Sequence, residues 1–346
     1  MARPILNESD GGKNDEIEDE PGGSYFASSP SHIDFIKSGC TLLDCAVGGG
    51  WPMGRMVNIV GDKSTGKTLL AIEACSTFIR DYPEGKIAYR EVEAAFDEEY
   101  ARALGMPVDM INFGDGDIFT VEDWHDDLMY FMDSHDDETP GLYILDSLDA
   151  LSDRAEMDRK ITDDSYGANK SKKMSETFRK LNQKLSERNI CLVIISQIRD
   201  NIGVTFGKKH TRSGGKAMDF YATQAVWLAH IKRLTKTVKG VKRVYGIRVK
   251  ANVEKNKISL PFRNCEFDII FGWGIDNVNA NIDWLTEVKE LKAVTGYALA
   301  NVKELRSRIA KMDDEEYKGL EKDLDEAVTE IWQEIEEDFL PKRSKY

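Results

Sequence analysis

The residues best suited to chemistry form one glycine-rich segment, Gly61-Asp62-Lys63-Ser64-Thr65-Gly66-Lys67-Thr68. It fits the pattern G-x-x-x-x-G-K-[ST], in which backbone N–H groups close around phosphates at the start of a helix. An apolar run precedes the segment at residues 56–60, and a helical pattern follows it. The sequence therefore predicts a nucleotide site in which Lys67 reaches the β- and γ-phosphates and the Thr68 hydroxyl binds Mg²⁺.

Such a site also needs an acid near the metal and a group that activates water. The apolar run at 142–145 ends on Asp146, which is our candidate for the metal, although an Asp at this point can also cap a turn. Glu91 and Glu93 follow the run at 87–89, and strand alternation would place both on one face of a sheet. Either could orient the attacking water, and their spacing does not choose between them.

The elements that must position these residues are short apolar runs separated by helical patterns. Continuous apolar strands between helices indicate a mostly parallel, twisted sheet flanked by helices, an α/β fold. The later runs carry basic residues and lack long helices between them, which favours an antiparallel extension. After Gly274 the pattern becomes helical, and one apolar face is formed by Leu320, Leu324, Val328, Ile331 and Ile335.

Charge is distributed unevenly along the 346 residues, whose net charge is −14. Residues 1–30 hold seven acids and two bases, residues 231–260 ten bases and one acid, and residues 311–340 thirteen acids and three bases. Because screening limits a charge to roughly 10 Å at moderate salt, the basic middle remains able to bind a phosphate backbone. The acidic, Gly- and Ser-containing residues 1–30 are typical of a disordered arm.

Other function classes find little support in the composition. The five cysteines form no C-x-x-C pair and the five histidines have no metal-ligand spacing, so zinc chemistry is not expected. No apolar run approaches the roughly 18 residues that a membrane helix needs, and the N-terminus has no apolar signal core. We therefore expect a cytoplasmic protein with no membrane partner.

Several further segments resemble the RecA recombinase family of bacteria and phages, with their motifs in the family's order over roughly residues 35–275. Before the glycine-rich segment, the resemblance rests on Cys40-Thr41-Leu42-Leu43-Asp44 and Gly48-Gly49-Gly50-Trp51-Pro52-Met53-Gly54-Arg55. After it come Glu93-Ala94-Ala95-Phe96-Asp97, Tyr100-Ala101-Arg102-Ala103-Leu104-Gly105, Ser196-Gln197-Ile198-Arg199, Ile202-Gly203-Val204, Phe206-Gly207, Gly214-Gly215 and Lys255-Asn256-Lys257.

The resemblance implies a RecA-type P-loop ATPase core and an ATP- and Mg²⁺-dependent, DNA-dependent ATPase. Such a protein forms a filament or ring of its own copies on single-stranded DNA and pairs it with homologous duplex DNA in recombination and repair. Two alternatives stay open. The first is an ATP-gated single-strand binder or annealing module without strand exchange, and the second is a RecA-like motor ATPase.

The resemblance also implies roles for individual residues. Glu93 takes the water-activating position, Asp146 the metal-associated one, and Asp97 and Tyr100 the adenine-contacting pair. Gln197 matches the glutamine that senses the γ-phosphate.

Lys255 and Lys257 match the lysines that reach a neighbouring subunit's ATP. From the residues alone, these two lysines could equally belong to a solvated basic strand.

Two segments resemble the family's DNA loops, about residues 157–167 and residues 198–214. In the second loop Ile202 matches an apolar wedge between base triplets, and Gly214 and Gly215 match a pair whose N–H groups meet phosphate. Other DNA-contacting positions fall at Lys172, Ser175, Arg179 and Arg199. Phe220 matches an interface aromatic, whereas its sequence context alone favours a core phenylalanine. No base-reading pattern is present, so binding is expected to be largely independent of sequence.

The two ends depart from the family. Residues 1–30 lack the helix that family members dock onto the next subunit, and the acidic C-terminal region is not a clear copy of the family's duplex-capturing domain. We therefore divide the chain into an arm at 1–30, an ATPase core at 31–275 and a helical region at 276–346. The acidic helix is either a mimic of phosphate that competes with DNA or a solvated face.

Overall fold

The computed structural model describes residues 33–94, 96–116, 118–136, 139–157, 168–200, 210–212, 214–296 and 301–343. Its centre is a twisted sheet, one half of which consists of five parallel strands. These are β3 (Met56–Gly61), β4 (Lys86–Glu91), β5 (Ile111–Asn112), β6 (Gly141–Asp146) and β7 (Ile190–Asp200), preceded by the small antiparallel pair β1 (Phe35–Ile36) and β2 (Trp51–Pro52). The carboxyl ends of β3, β4, β6 and β7 lie along one edge, where an α/β sheet binds its ligands.

The other half of the sheet is antiparallel, as the later basic runs predicted. It contains β9 (Gln224–Val238), β10 (Val241–Asn256), β11 (Asn264–Ile270) and β12 (Gly274–Ile275), and β9 joins the parallel half beside β3. The spatial order is therefore β12-β11-β10-β9-β3-β7-β6-β4-β5, and the short β8 (His210–Arg212) pairs with the end of β7.

Helices cover both faces of the sheet. Those of the core are α1 (Thr41–Val47), α2 (Lys67–Asp81), α3 (Glu98–Ala103), α4 (Val121–Asp133), α5 (Arg154–Met157), α6 (Ala168–Glu187) and α7 (Gly215–Tyr221). Side chains of β6 alternate between two buried clusters, so that Ile144 packs on one side of the sheet and Tyr143 on the other. The near-continuous apolar strands are explained by this burial on both faces, and the RecA-type α/β fold expected from the sequence is confirmed.

Four helices follow the sheet in the described part of the C-terminal region: α8 (Asn277–Glu287), α9 (Leu291–Thr295), α10 (Val302–Ile309) and α11 (Asp314–Asp338). The apolar face of α11 buries Leu324 and Val328 in the same cluster as one face of the sheet. The Asp325 carboxylate accepts hydrogen bonds from Thr41 of α1, at 2.5 Å, and from two asparagines of α8. These contacts hold α11 against α1 and α8. No helix of the described residues is long and apolar enough to cross a membrane.

Candidate nucleotide and DNA site

The glycine-rich segment joins the end of β3 to the start of α2, as its spacing predicted. Gly66 has φ of +89°, a backbone conformation that favours glycine, and a Cβ there would also require the end of the Ile269 side chain to move. Among the residues that the structure describes, no side chain caps α2. The free N–H groups of its first turn, with the partial positive charge of the helix end, therefore remain available to phosphate oxygens.

The metal-binding candidates meet beside this loop. Thr68 Oγ1 donates a hydrogen bond to Asp146 Oδ2 at 2.8 Å, and the buried Tyr89 hydroxyl donates to the same oxygen at 2.9 Å. The two site residues come from α2 and β6, and the parallel sheet brings them together at its carboxyl edge. A hydroxyl and a carboxylate are hard oxygen ligands, which suits Mg²⁺ held by few protein groups and by phosphate. The residues present therefore fit the ion that the P-loop implies.

Burial shifts two charged groups here in opposite directions. Desolvation raises the pKa of Asp146 above its usual value, although the hydrogen bonds from Thr68 and Tyr89 partly offset this. Desolvation lowers the pKa of Lys67, while the negative charges of Asp146 and Glu93 oppose the change. Lys67 Nζ donates to the Asp62 carbonyl at 2.8 Å, so the ammonium lies over its own loop. The added charges of a triphosphate and a divalent cation would favour the ionised forms of both groups.

Glu93 lies just past β4, beside the end of β7. Its Oε1 accepts a hydrogen bond from Gln197 Nε2 at 2.8 Å and another from the Ser147 hydroxyl. A cleft of about 300 Å³ opens at this point, and it is lined by Glu93, Asp149, Ala150, Gln197 and Ile198. The site therefore brings the proposed water-activating carboxylate within direct reach of the proposed γ-phosphate sensor.

Glu91 has a different environment from Glu93. β4 ends at Glu91, so the strand alternation that would place both side chains on one face does not continue to Glu93. Glu91 Oε1 accepts the backbone N–H of Glu93 at 2.9 Å and so supports the turn that carries Glu93. The expectation of two equivalent carboxylates on one sheet face was wrong, because the chain leaves the strand between them.

The adenine-contacting candidates lie at the start of α3. Asp97 is the N-cap, and its Oδ1 accepts the backbone N–H of Tyr100 at 2.9 Å. The Tyr100 ring is 38% exposed, which leaves a face free for stacking on a purine.

Lys255 and Lys257 converge on the C-terminal end of α7. Lys255 donates to the carbonyls of Asp219 and Phe220, and Lys257 donates to the Phe220 carbonyl at 3.0 Å. A register shift of β10 between Val253 and Lys255 precedes them, and such shifts re-aim side chains. Burial and the neighbouring Lys257 charge lower the pKa of Lys255 to about 8.

Phe220 is 68% exposed, so the core position favoured by its sequence context was wrong. Its ring lies 5.6 Å from the Lys257 ammonium. α7 is a short helix with one buried side, formed by Ala217 and Met218, and Phe220 lies on the other side.

The DNA-contacting candidates are only partly placed. Lys172 and Arg179 are exposed on α6, and the Ser175 hydroxyl between them donates to the Ser171 carbonyl at 2.9 Å. Gly214 has φ of +82° and is the N-cap of α7, whose first residue is Gly215. Ile202, the Arg199 side chain and most of both DNA loops lie outside the described residues.

Sequence reasoning missed three residues that complete the site. Tyr89 and Ser147 bond directly to Asp146 and Glu93, and Asp149 accepts the backbone N–H of Gln197 at 2.6 Å. Their proximity in sequence to candidate site residues could have indicated them. Tyr89 precedes Glu91 by two residues, and Ser147 and Asp149 follow Asp146. What could not be foreseen was which of the side chains would meet across three strands.

These features define a P-loop fold with a mostly parallel sheet, a hydrogen-bonded hydroxyl–carboxylate pair beside the loop and a carboxylate that faces a strand-end glutamine. Comparison with known proteins adds that the family model for the RecA N-terminal domain matches residues 25–276. The chain belongs to the RecA family. The family is one of ATPases, and its members use ATP and Mg²⁺.

Individual relatives agree with the family match. The chain is 35% identical to "Protein RecA" of Synechocystis sp. over 252 residues, which are 72% of this chain and 68% of the relative. It is 35% identical to "Protein RecA" of Trichodesmium erythraeum over 260 residues, 75% of this chain and 69% of the relative. For "Protein RecA" of Nostoc punctiforme the identity is 35% over 256 residues, 74% and 68% of the two chains.

Proposed function

We propose that this protein is a recombinase: a DNA-dependent ATPase that assembles on single-stranded DNA and promotes homologous pairing and strand exchange in recombination and repair. Membership of the RecA family supports this function, and the relatives' names do not favour an annealing module or a motor ATPase. The single observation that carries the mechanism is the hydrogen bond from Gln197 to Glu93. It joins a hydrolysis residue to the strand that leads into the second DNA loop.

The triphosphate of ATP is held by residues 61–68, with Lys67 on the β- and γ-phosphates. Thr68 and Asp146 hold Mg²⁺, which when bound neutralises developing charge on the phosphate oxygens. Asp97 and Tyr100 contact the adenine. Glu93 has a carboxyl oxygen that accepts hydrogen bonds, so it is equipped to orient the attacking water and to receive its proton.

Gln197 couples nucleotide to DNA. Its amide is bonded to Glu93, and a γ-phosphate oxygen would compete for the same N–H group. Exchange of partner by the amide would shift the end of β7, which continues through Arg199 toward Ile202. DNA contacts are completed by Lys172, Ser175, Arg179, Gly214 and Gly215. The filament state therefore follows the nucleotide state.

Lys255 and Lys257 act in trans, on the ATP of a neighbouring copy. Two adjacent cations stabilise charge that develops during phosphoryl transfer, as arginine fingers do. In the single chain they rest on carbonyls of α7, contacts that a phosphate of a neighbour would replace. The exposed Phe220 ring beside them belongs to the same interface. The division into an arm at 1–30, a core at 31–275 and a helical region at 276–346 stays a prediction.

A strand-exchange assay tests this function. The protein is incubated with ATP, Mg²⁺, a circular single strand and a homologous linear duplex, and a heterologous duplex is the control. The proposal expects joint molecules with the homologous duplex alone. Joint molecules with both duplexes, or complexes of single strands without any joint molecules, would instead support annealing or simple binding.

A further inference from the structure

The strands β9 and β10 extend past β11 as a two-stranded arm at residues 235–244, and we call this arm with the adjoining stretch of β9 and Tyr245 the basic hairpin (residues 229–245). Residues 229–245 are exposed, apart from the half-buried Leu234. The turn at its tip is formed by Lys239 and Gly240, with φ of +50° and +79°, which is the two-residue turn that matches strand twist. Nothing in the described chain covers this arm.

The charge of the basic hairpin is of one sign. It carries six cations and no acidic residue: Lys232, Arg233, Lys236, Lys239, Lys242 and Arg243. Arg243 lies directly opposite Lys236 in the strand register, and like charges at opposed positions destabilise a hairpin. Within the part of the chain that the structure describes, none of the six forms an ion pair. Among the described residues, the hairpin therefore lacks anions that would stabilise it.

Beside its turn the basic hairpin also exposes apolar side chains. Val238 and Val241 are paired in the register and are 55% and 51% exposed, and Val244 is also exposed. Because the basic hairpin exposes both cations and apolar side chains, a complementary partner offers both acidic and apolar side chains.

The outward face of α11 has such a pattern. We call it the acidic stripe; it runs along one side of the helix at steps of three and four residues and consists of the exposed Asp323, Glu326, Glu330, Glu334 and Glu337. Like charges four residues apart repel one another on a helix. The last turn of α11 contains no basic residue, so its acids also oppose the negative end of the helix dipole.

The acidic stripe also ends in apolar side chains. Phe339 and Leu340 follow α11 directly and are 76% and 52% exposed. In the described residues, the nearest compensation for the stripe is one long contact of 3.7 Å between Lys322 and Glu326, both well exposed. Like the basic hairpin, the acidic stripe is destabilised by repulsion between its own like charges when no partner of opposite charge is bound.

We propose that the basic hairpin of one copy docks on the acidic stripe of α11 in the next copy. The hairpin from Lys232 to Val238 is roughly 20 Å long, and the stripe from Asp323 to Glu337 is about 21 Å long. Lys236, Arg243, Val238 and Val241 share one face of the hairpin, so on that face the cations meet the carboxylates and the two valines meet Phe339 and Leu340. This interface deepens the proposed assembly of copies and rests on it.

A second copy explains the hairpin better than a nucleic acid does. A phosphate backbone accounts for the six cations but leaves the three exposed valines in water. The chain's own α11 is not the partner either, since hairpin and stripe are both exposed and no ion pair joins them in the described residues. The contact is heterologous, so it can repeat from copy to copy along a polymer.

Charge exchange tests the interface in the full-length protein. One variant introduces two acids into the hairpin, Lys236→Glu with Arg243→Glu, and the other introduces two lysines into the stripe, Glu330→Lys with Glu334→Lys. Sedimentation velocity with ATP and Mg²⁺, without DNA and at low salt, measures self-association. We expect each variant alone to associate at least about tenfold more weakly than the wild type. A 1:1 mixture is expected to associate more strongly than either variant alone, because unaltered hairpins then meet unaltered stripes and the introduced acids can face the introduced lysines.

A charge-matched control is Lys303→Glu with Lys311→Glu, which changes exposed lysines outside both surfaces and should associate as the wild type does. ATP binding by all variants reports that each is folded. Equal association of wild type and both variants, or a mixture that stays as weak as its components, would overturn the proposal. If the hairpin variant associates normally and loses affinity for duplex DNA instead, the hairpin is a nucleic-acid surface. Failure of DNA to stimulate ATP turnover would contradict the proposed function but leave the mixing result intact.

Discussion

Glu93 Oε1 and Gln197 Nε2 lie 2.8 Å apart, although 104 positions separate these residues in the sequence. Glu93 follows β4 and Gln197 belongs to β7, and β6 with Asp146 at its end lies between the two strands. One edge of the sheet therefore carries the water-activating candidate, the metal candidate and the candidate γ-phosphate sensor side by side.

Replacing Glu93 separates hydrolysis from binding. We expect Glu93→Gln to lower ATP turnover by about 100-fold or more, because the amide cannot accept the proton of the attacking water. ATP affinity should stay within about twofold of the wild type, since the P-loop is untouched. Steady-state turnover and equilibrium nucleotide binding measure the two effects. Glu91→Gln is the matched control, and a loss of turnover as large as that of Glu93→Gln would assign the role to Glu91.

The two lysines of the P-loop should behave differently. Lys67 lies next to the acids of the site and is half-buried, whereas Lys63 is exposed at the start of the loop. We expect Lys67→Ala to abolish ATP turnover, whereas Lys63→Ala should retain most of it. Both are measured as phosphate release at saturating ATP. Equal losses in both variants would contradict a specific phosphate contact by Lys67.

Lys255→Ala probes the role in trans. We expect it to lower DNA-stimulated turnover while ATP binding by the isolated chain persists, because the ATP contacted by Lys255 belongs to a neighbour. Lys250→Ala, on the same strand β10, is the control. Mixing Lys255→Ala with Glu93→Gln should restore part of the turnover, since some junctions then combine an intact Glu93 with an intact Lys255. Loss of nucleotide binding in a strictly monomeric preparation of Lys255→Ala would place the lysine in its own chain's site.

The contribution of Glu73 to the free energy of unfolding should decrease as the pH rises from about 4.5 to about 7. Burial raises the pKa of this carboxyl, on α2, to about 7, although the N–H of Ile275 lowers it in part. A raised pKa means that the folded state binds the proton more tightly than the unfolded state does. The protonated Glu73 therefore contributes fully to the free energy of unfolding below its unfolded pKa of 4.5, and this contribution is lost as the pH rises to about 7. The full shift corresponds to at most about 3 kcal/mol.

The matched variant for this effect is Glu73→Gln, which keeps the shape of the side chain between Gly39 and Gly274. Urea unfolding at pH 5 and pH 8 should show a variant that is more stable than the wild type at pH 8 and nearly equal to it at pH 5. Parallel pH dependence in both proteins would mean that Glu73 is ionised in the fold.

Most of the fold could be predicted from local patterns. The strands of the parallel half are buried on both faces and therefore read as apolar runs such as residues 190–195, and the glycine-rich segment locates β3 and α2 on either side of it. The extent of the strands could not be predicted in the same way. β9 and β10 continue as the basic hairpin well past their apolar runs, because backbone pairing and a favourable turn hold them without burial.

The candidate site was predictable where one segment supplies it and less so where several segments meet. Residues 61–68 and Asp146 needed only their local sequence. Glu93 could not be separated from Glu91 by spacing, because the decisive event is the end of β4 at Glu91. Phe220 was misplaced because a helix of seven residues shows too few turns for an apolar face to be read from its sequence.

ATP turnover measured with and without single-stranded DNA tests the central claim most directly. Gln197 lies on β7, which leads into the second DNA loop, so DNA bound at that loop should change the rate of ATP hydrolysis. We predict that a single strand of unspecific sequence raises the turnover of the wild type several-fold, that high salt abolishes the increase, and that Glu93→Gln shows none. An unchanged rate of hydrolysis at saturating single-stranded DNA would contradict the account.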